Sequence, residues 1–261
     1  MNYELIKSNL KNCPTIYYIS SEKFKSRQCN IETLFKNLNL NYVPVVISEK
    51  EDLETKYIYS EKFEQEKQAI YTTISHLKAI EKWLNSSKEE IGLFFEDDIS
   101  FETVEYWNFN ITDFLNKLPT GWEAIQLQIV SENIKNVSLN YFEERSWNDW
   151  AVGAYLIKRE YAEKIIKNHK KENYYDLNLP EPYSNIQPLI ENIIYSFGKV
   201  YKFPLFIENL NEPTTFVKNN HYYINKQLEF KNNIGQKLHH YSSANYVLNL
   251  WKTSTKNYML A

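Results

Sequence analysis

The sequence has little of what marks several large classes of protein. Its 261 residues include only two cysteines, Cys13 and Cys29, which argues against a disulfide framework and against a cysteine metal site. So few cysteines favour a reducing compartment, and the N-terminal stretch lacks the apolar core of a signal peptide, so we expect a cytoplasmic protein. No apolar run approaches the length of a membrane span, and none is predicted.

Basic charge is not in excess either. The chain has 30 Lys and Arg against 33 Asp and Glu, a formal net charge of −3. Binding to nucleic acid as a main partner needs a basic footprint, so nucleic acid is not predicted as a partner. Aromatic residues are abundant at 16%, with 21 tyrosines. Such residues stack on sugars and bases, although tyrosine also packs in ordinary cores.

The pattern of apolar residues predicts alternating strands and helices. Residues 15–20 and 41–48 have strand character, and the stretch between them carries apolar residues at helical spacing. This βαβ opening favours a parallel sheet. Further helices are predicted over 61–85, 158–170 and 187–199, and further strands over 122–130, 151–157 and 200–208.

One predicted strand runs directly into three carboxylates. Apolar residues 91–95 are followed by Glu96, Asp97 and Asp98. Ligands bind at the carboxyl ends of strands in open α/β sheets, and such close carboxylates call for a positive partner. Mg²⁺ and Mn²⁺ commonly bridge one or two carboxylates to phosphates, and alternation along an extended stretch predicts that Glu96 and Asp98 face one ion. The alternative is a solvated acidic turn or a set of helix caps.

The EDD triplet after an apolar strand is flanked by five further segments, IYYISSEKFKSR, AIYTTISHLKAIEKW, GWEAIQL, DWAVGAYLIKREYAEKII and PLIENIIYSFGKVYKFPLF. With these segments in this order, residues 15–208 resemble glycosyltransferase family 25, the lipooligosaccharide and collagen glycosyltransferase group. An acidic motif after an apolar strand is one of the marks of that family. The sequence departs from the family pattern at Ala69, where glycine is usual, at Glu191, where aspartate is usual, and in Ile-Ser-Ser at the end of the first strand.

The resemblance implies a GT-A-type fold, a Rossmann-like α/β sheet, mostly parallel and flanked by helices. We expect a single domain over residues 1–261, with 209–261 as a C-terminal segment that covers the site. The implied activity is inverting, metal-dependent transfer of galactose or glucose from a UDP-sugar donor, with Mn²⁺ or Mg²⁺ as cofactor. The acceptor stays open between a lipooligosaccharide, another glycan and a protein-linked acceptor.

The resemblance also assigns roles to acidic residues. Glu96 and Asp98 match the acidic motif and are expected to hold the metal, and Asp97 is expected to contact the ribose or sugar of the donor. An inverting transfer needs a general base. Glu191, at the family's second acidic position, is the first candidate, and Asp149 is the second. Glu191 has the alternative of capping or pairing within its own helix.

Four further residues match donor-binding segments of the family. Ile19, Ser20 and Arg27 lie in its opening segment, where Arg27 is expected to pair with the diphosphate. The alternative for Arg27 is a surface position on a helix. His76 follows a serine in the segment before the acidic motif and is expected to shape the site, or else to be a satisfied structural histidine.

A histidine near the C-terminus often completes the metal shell of GT-A enzymes. His240, in the segment LHHYSS, is the candidate here, and His221 is the second choice. The alternative is an exposed polar tail.

Two other functions remain open from the sequence. One is a metal-dependent phosphohydrolase or nucleotidyltransferase that uses the same acidic strand end. The other is a catalytically inactive module that binds a sugar nucleotide.

Overall fold

A seven-stranded mixed sheet organises the part of the chain that the structure describes. The structure is a computed structural model, and it describes residues 2–60, 62–63, 67–131 and 141–209, with Asn225, Leu228, Glu229, Asn232 and Asn233. The strands in chain order are β1 (Ile16–Ser21), β2 (Tyr42–Ile47), β3 (Tyr57–Ile58), β4 (Ile91–Glu96), β5 (Ile99–Ser100), β6 (Ala124–Gln126), β7 (Val130–Ser131), β8 (Glu143–Glu144), β9 (Asp149–Trp150), β10 (Ala154–Lys158), β11 (Tyr175–Asp176), β12 (Val200–Lys202) and β13 (Ile207–Glu208). The helices are α1 (Tyr3–Asn9), α2 (Lys25–Leu38), α3 (Glu49–Glu54), α4 (Lys67–Ser86), α5 (Ile111–Leu115), α6 (Arg159–His169) and α7 (Ile190–Tyr195), with a 3-10 turn, η1, at Val104–Tyr106.

The strand order in the large sheet is β2-β1-β4-β10-β6-β12-β8. Parallel pairing joins β2, β1 and β4, and it also joins β6 and β12, while β10 and β8 pair antiparallel with their neighbours. Five of these seven strands therefore point the same way. This confirms the predicted α/β sheet, mostly parallel and flanked by helices.

Alternation along the central strands buries both faces of the sheet. In β4, Leu93 and Phe95 enter the core that α1, α2 and α5 cover, whereas Phe94 enters the core under α4, α6 and α7. Strand β1 alternates in the same way. Because both faces are covered by helices, the carboxyl ends of β1 and β4 are where polar side chains can meet an opening.

Several predicted elements are shorter than expected. The strand predicted over 200–208 is divided into β12 and β13, with Pro204 between them, because proline has no N–H for a sheet ladder. The helix predicted over 187–199 is reduced to α7. The strand predicted over 151–157 begins only at Ala154, because Ala151 has φ 87°, outside extended geometry.

In α4 the apolar residues at helical spacing lie on one stripe, of which Ile70, Ile74, Leu77 and Ile80 are buried and Leu84 is half-buried. Within the described residues, no helix has both the length and the apolar character to cross a bilayer. Most of the predicted covering segment, residues 209–261, lies outside the described residues.

Candidate active site

A cavity of about 310 Å³ opens at the carboxyl ends of β1 and β4. Strand β1 contributes Ile19 and Ser20 to its wall, and the end of β4 contributes Glu96 with the two aspartates that follow it. The opposite walls come from α4, from residues 150–153 before β10, and from the start of α7. The cavity thus lies where the sequence predicts a ligand.

A buried arginine supplies the positive charge that the acidic triplet requires. Arg27, in the first turn of α2, contacts the carboxylate of Asp97 and lies 2.5 Å from Oδ2 of Asp98. Its guanidinium also lies over the ring of Phe24, 4.9 Å from the centroid. Ser20 donates a hydrogen bond of 2.5 Å to the other oxygen of Asp97. Arg27 therefore binds the aspartates and is not the surface residue of the alternative, and it also lines the cavity, so its pairing with a diphosphate stays a prediction.

The predicted alternation fails at this point for a local reason. Strand β4 ends at Glu96, and Asp97 and Asp98 form a turn rather than an extended stretch. Both aspartates consequently share Arg27, and Glu96 faces a different partner. The two-residue spacing between Glu96 and Asp98 therefore does not place them on one face of a strand.

Both aspartates resist ionisation in spite of the arginine. Burial raises the pKa of Asp97 to about 6, with Arg27 and Ser20 opposing the rise. Burial also raises the pKa of Asp98 well above its usual range, and the neighbouring carboxyls of Glu208 and Glu96 add to this effect. A second cation near Asp98 and Glu208 would relieve that repulsion.

Glu96 is held by a buried histidine. Its Oε1 lies 3.1 Å from Nε2 of His76, whose Nδ1 lies 3.2 Å from the hydroxyl of Tyr155. His76 is fully buried and stacks on the ring of Tyr155 with centroids 5.7 Å apart. It is not part of the cavity wall, and its direct contact with a residue of that wall is the one with Glu96.

The two candidates for a general base lie in different surroundings. Glu191, in the first turn of α7, lines the cavity, and burial raises its pKa while Arg145 opposes the rise. Asp149 is buried and is absent from the cavity wall among the described residues. It accepts hydrogen bonds from Lys202 Nζ and from Ser146, both its N–H and its hydroxyl, at 2.8–2.9 Å. These bonds outweigh burial and lower the pKa of Asp149, as expected of a structural ion pair.

Glu208 belongs to the site and was missed from the sequence. It lies at the end of β13, paired with Ile99 of β5, and it lines the cavity beside Asp98. The available signal was a second apolar stretch that ends in an acid, FIE at 206–208, much like FFE at 94–96. The predicted metal ligand His240 and its second choice His221 lie outside the described residues.

Comparison with known proteins finds no matching family model and no matching curated protein. Similar solved structures include A197 from STIV, at 15% identity and TM-score 0.38 over 79% of this chain and 99% of that chain. Another is a glycosyltransferase involved in glycosylation of the major capsid of PBCV-1, at 13% identity and TM-score 0.39 over 84% and 99%. A UDP-glucose pyrophosphorylase complexed with UDP-glucose has 10% identity and TM-score 0.39 over 90% and 86%. With values this low, function has to be argued from the chain's own residues, and the resemblance to glycosyltransferase family 25 stays a prediction.

Proposed function

We propose that the protein is a divalent-metal-dependent glycosyltransferase that moves a hexose from a UDP-sugar to a hydroxyl of a glycan, lipooligosaccharide or protein-linked acceptor, with inversion. The observation that carries the proposal is the charge of the cavity wall. Five carboxyl groups line it, those of Glu96, Asp97, Asp98, Glu191 and Glu208. Among the described lining residues the one cationic side chain is Arg27, which already contacts two of those carboxyls.

A diphosphate in such a cavity is repelled by those of the carboxyl groups that are ionised. Two ionised groups about 4 Å apart repel by about 4 kcal/mol at an effective dielectric constant of 20. A divalent cation bound by one or two carboxylates and by substrate phosphates removes this repulsion. The acidic wall therefore favours a nucleotide donor that arrives with Mg²⁺ or Mn²⁺ over an anion that binds alone.

The carboxylate oxygens of Glu96, Asp98 and Glu208, which form the acidic corner of the cavity, fit such an ion. Carboxylate oxygens are the ligands that these hard cations prefer, and Asp98 and Glu208 are two buried carboxyls that repel each other. The described residues contain no group of three His, Cys, Asp or Glu side chains arranged to hold a metal, so phosphate oxygens would complete the shell. Asp98 and Glu96 would hold the ion, with Glu208 beside them, and it would supply Lewis-acid stabilisation of the leaving diphosphate.

The chain's own residues provide for the transfer step. The acceptor oxygen forms a bond to the anomeric carbon as the bond from that carbon to the diphosphate oxygen breaks. The bonding electrons leave with the diphosphate, and the hydroxyl proton passes to the carboxylate of Glu191. A base with a raised pKa is better matched to this proton transfer than an ordinary carboxylate. The 3.1 Å contact between His76 and Glu96 keeps the Glu96 carboxylate in place.

Calorimetry and product analysis together test the proposal. UDP, UDP-glucose and UDP-galactose are titrated with Mn²⁺ or with a chelator, against wild type and Asp98→Asn. We expect metal-dependent binding that Asp98→Asn weakens at least about tenfold, the loss of one charged ligand contact of about 1.5–3 kcal/mol. Release of UDP with a glycosylated product supports transfer. Formation of pyrophosphate from UTP and a hexose phosphate would instead indicate a nucleotidyltransferase, and no nucleotide binding would refute both.

A further inference from the structure

One residue of the cavity wall has a backbone that its side chain does not favour. Ala151 has φ 87°, in the left-handed region that residues with a Cβ seldom adopt. A buried side chain maintains this conformation. Nε2 of Gln126, on β6, donates 2.8 Å hydrogen bonds to two successive carbonyls, those of Trp150 and Ala151. Only the NH₂ group of the amide can donate to both, so the orientation of Gln126 is fixed.

The two carbonyls determine where the adjoining amides point. Among the described residues the one cis peptide bond is Glu181–Pro182, so the bonds on either side of Ala151 are trans. In a planar trans peptide the N–H points opposite to the C=O. Because both carbonyls turn toward Gln126, the N–H groups of Ala151 and Val152 both turn away from it. No described residue accepts a hydrogen bond from either of them, whereas the next amide, of Gly153, donates to Gln128 Oε1 at 3.2 Å.

Successive N–H groups that point to the same side are a known way to bind anions. Ala151 and Val152 both line the cavity, as do Glu96, Asp98 and Glu208, whose carboxyl groups form its acidic corner. The two parts of the wall differ in chemistry, since the amides only donate and the ionised carboxylates only accept. Phosphate oxygens are acceptors, and sugar hydroxyls are donors as well.

We propose that the amides of Ala151 and Val152 form the subsite for the phosphate oxygens of the donor, with Gln126 as the positioning residue that holds them there. The inference rests on the proposed function for the identity of the ligand as a nucleotide diphosphate. The acidic corner then faces the metal and the hydroxyl-bearing sugar. Neither Gln126 nor Ala151 was singled out from the sequence, because the arrangement depends on backbone direction.

Amide resonances test the subsite directly. The protein is labelled with ¹⁵N-alanine and ¹⁵N-valine, and the spectra are recorded with Mg²⁺ alone as the baseline. UDP, uridine and inorganic pyrophosphate are then added separately. We expect the Ala151 and Val152 amides to shift downfield with UDP and pyrophosphate, and to stay unchanged with uridine. Binding of UDP, seen by calorimetry, without movement of these two amides would overturn the inference while leaving the proposed function intact.

The experiment with pyrophosphate tests the anion subsite separately from the proposed nucleotide donor. Movement with pyrophosphate but no binding of UDP would retain the anion subsite and reject the nucleotide donor. If neither ligand moves the two amides, the subsite is wrong.

Gln126→Glu provides a matched variant, because a carboxylate cannot donate to the two carbonyls and repels them. We expect at least tenfold weaker binding of UDP, with uridine binding changed less than twofold. Asn116→Asp, the same amide-to-acid change at the exposed end of α5, controls for net charge. Equal UDP affinity in Gln126→Glu and wild type would count against the positioning role. If Gln126→Glu does not fold, the wild-type spectra still decide.

Discussion

The guanidinium of Arg27 and the carboxylate of Asp98 lie 2.5 Å apart, in side chains that are 5% and 11% exposed. The pair joins the first turn of α2 to the end of β4, across 71 positions of sequence. Charges removed from water this far are stable only as partners, since each alone would have an uncompensated cost of burial. The contact therefore makes the acidic motif part of the fold as well as part of the cavity.

Removing the arginine should destabilise the protein strongly. Arg27→Met leaves Asp97 and Asp98 buried without their partner, and loss of one member of a buried pair costs about 3–5 kcal/mol. Urea denaturation at pH 7 measures the change in free energy of unfolding. Lys36→Met removes an exposed pair of 3.8 Å with Glu32, and should cost less than about 1 kcal/mol. A similar loss in both variants would show that burial of the arginine pair has no special weight.

The raised pKa of Asp97 predicts a dependence of stability on pH. Its folded-state pKa of about 6 lies above the value of about 3.9 expected in the unfolded chain. The folded state then binds the proton more tightly. The resulting stabilisation of the fold by protonated Asp97 is fully present below about pH 4 and is lost as pH rises through 6. Denaturation midpoints from pH 4 to 7, in chelator, should fall less steeply for Asp97→Asn than for wild type. The exposed Asp113→Asn should keep the wild-type slope, and an unchanged slope in Asp97→Asn would contradict the assignment.

Glu208 should contribute to metal binding although it is distant in sequence from the acidic motif. Glu208→Gln removes one of the two carboxyls that repel each other at this corner. We expect Mn²⁺-dependent UDP binding to weaken about tenfold, while the free energy of unfolding without metal rises because one repulsion is gone. The expected result is weaker UDP binding in calorimetry together with a higher free energy of unfolding in denaturation. Weaker binding together with lower stability would point to a structural role instead.

Glu191→Gln should separate chemistry from binding. The amide cannot accept the acceptor's proton, and loss of a general base typically lowers turnover by about 10²–10⁴-fold. UDP affinity should change little, since Glu191 is assigned to the acceptor side. Asp149→Asn is the comparison, because it breaks the pair with Lys202 and should lower stability more than turnover per folded molecule. Equal losses of kcat in the two variants would leave Glu191 without its assigned role.

His76 should act through the residue that it holds. In His76→Phe the 3.1 Å contact to Glu96 is lost while the stacking on Tyr155 can remain. We expect kcat to fall about tenfold or more. Tyr155→Phe, which removes only the hydroxyl at 3.2 Å from the imidazole, should have a smaller effect on kcat. A larger loss of kcat in Tyr155→Phe than in His76→Phe would contradict the proposal that His76 positions Glu96.

Local pattern was enough to predict the sheet and the strand ends at which the cavity opens. The apolar run at residues 91–95 reflects burial on both faces of β4, and an acid at the end of such a strand reaches the open edge of the sheet. The partners of those acids were harder to predict. Asp97 and Asp98 lie in a turn, so alternation along β4 does not extend to them, and Arg27 meets Asp98 only when α2 packs against the sheet. Glu208 lies on β13, which pairs with β5, so its place beside Asp98 also depends on a contact between segments distant in the sequence.

The salt bridges of Arg27 have a consequence for the resting state of the protein. A site whose carboxylates depended on a bound ion would lose its shape in chelator, as small metal-stabilised domains do. Here Arg27 is a counter-ion built into the chain, and it contacts both aspartates of the acidic motif. The protein should therefore survive purification and storage in chelator. Its melting temperature in chelator should lie close to its melting temperature with the divalent cation of the proposed function.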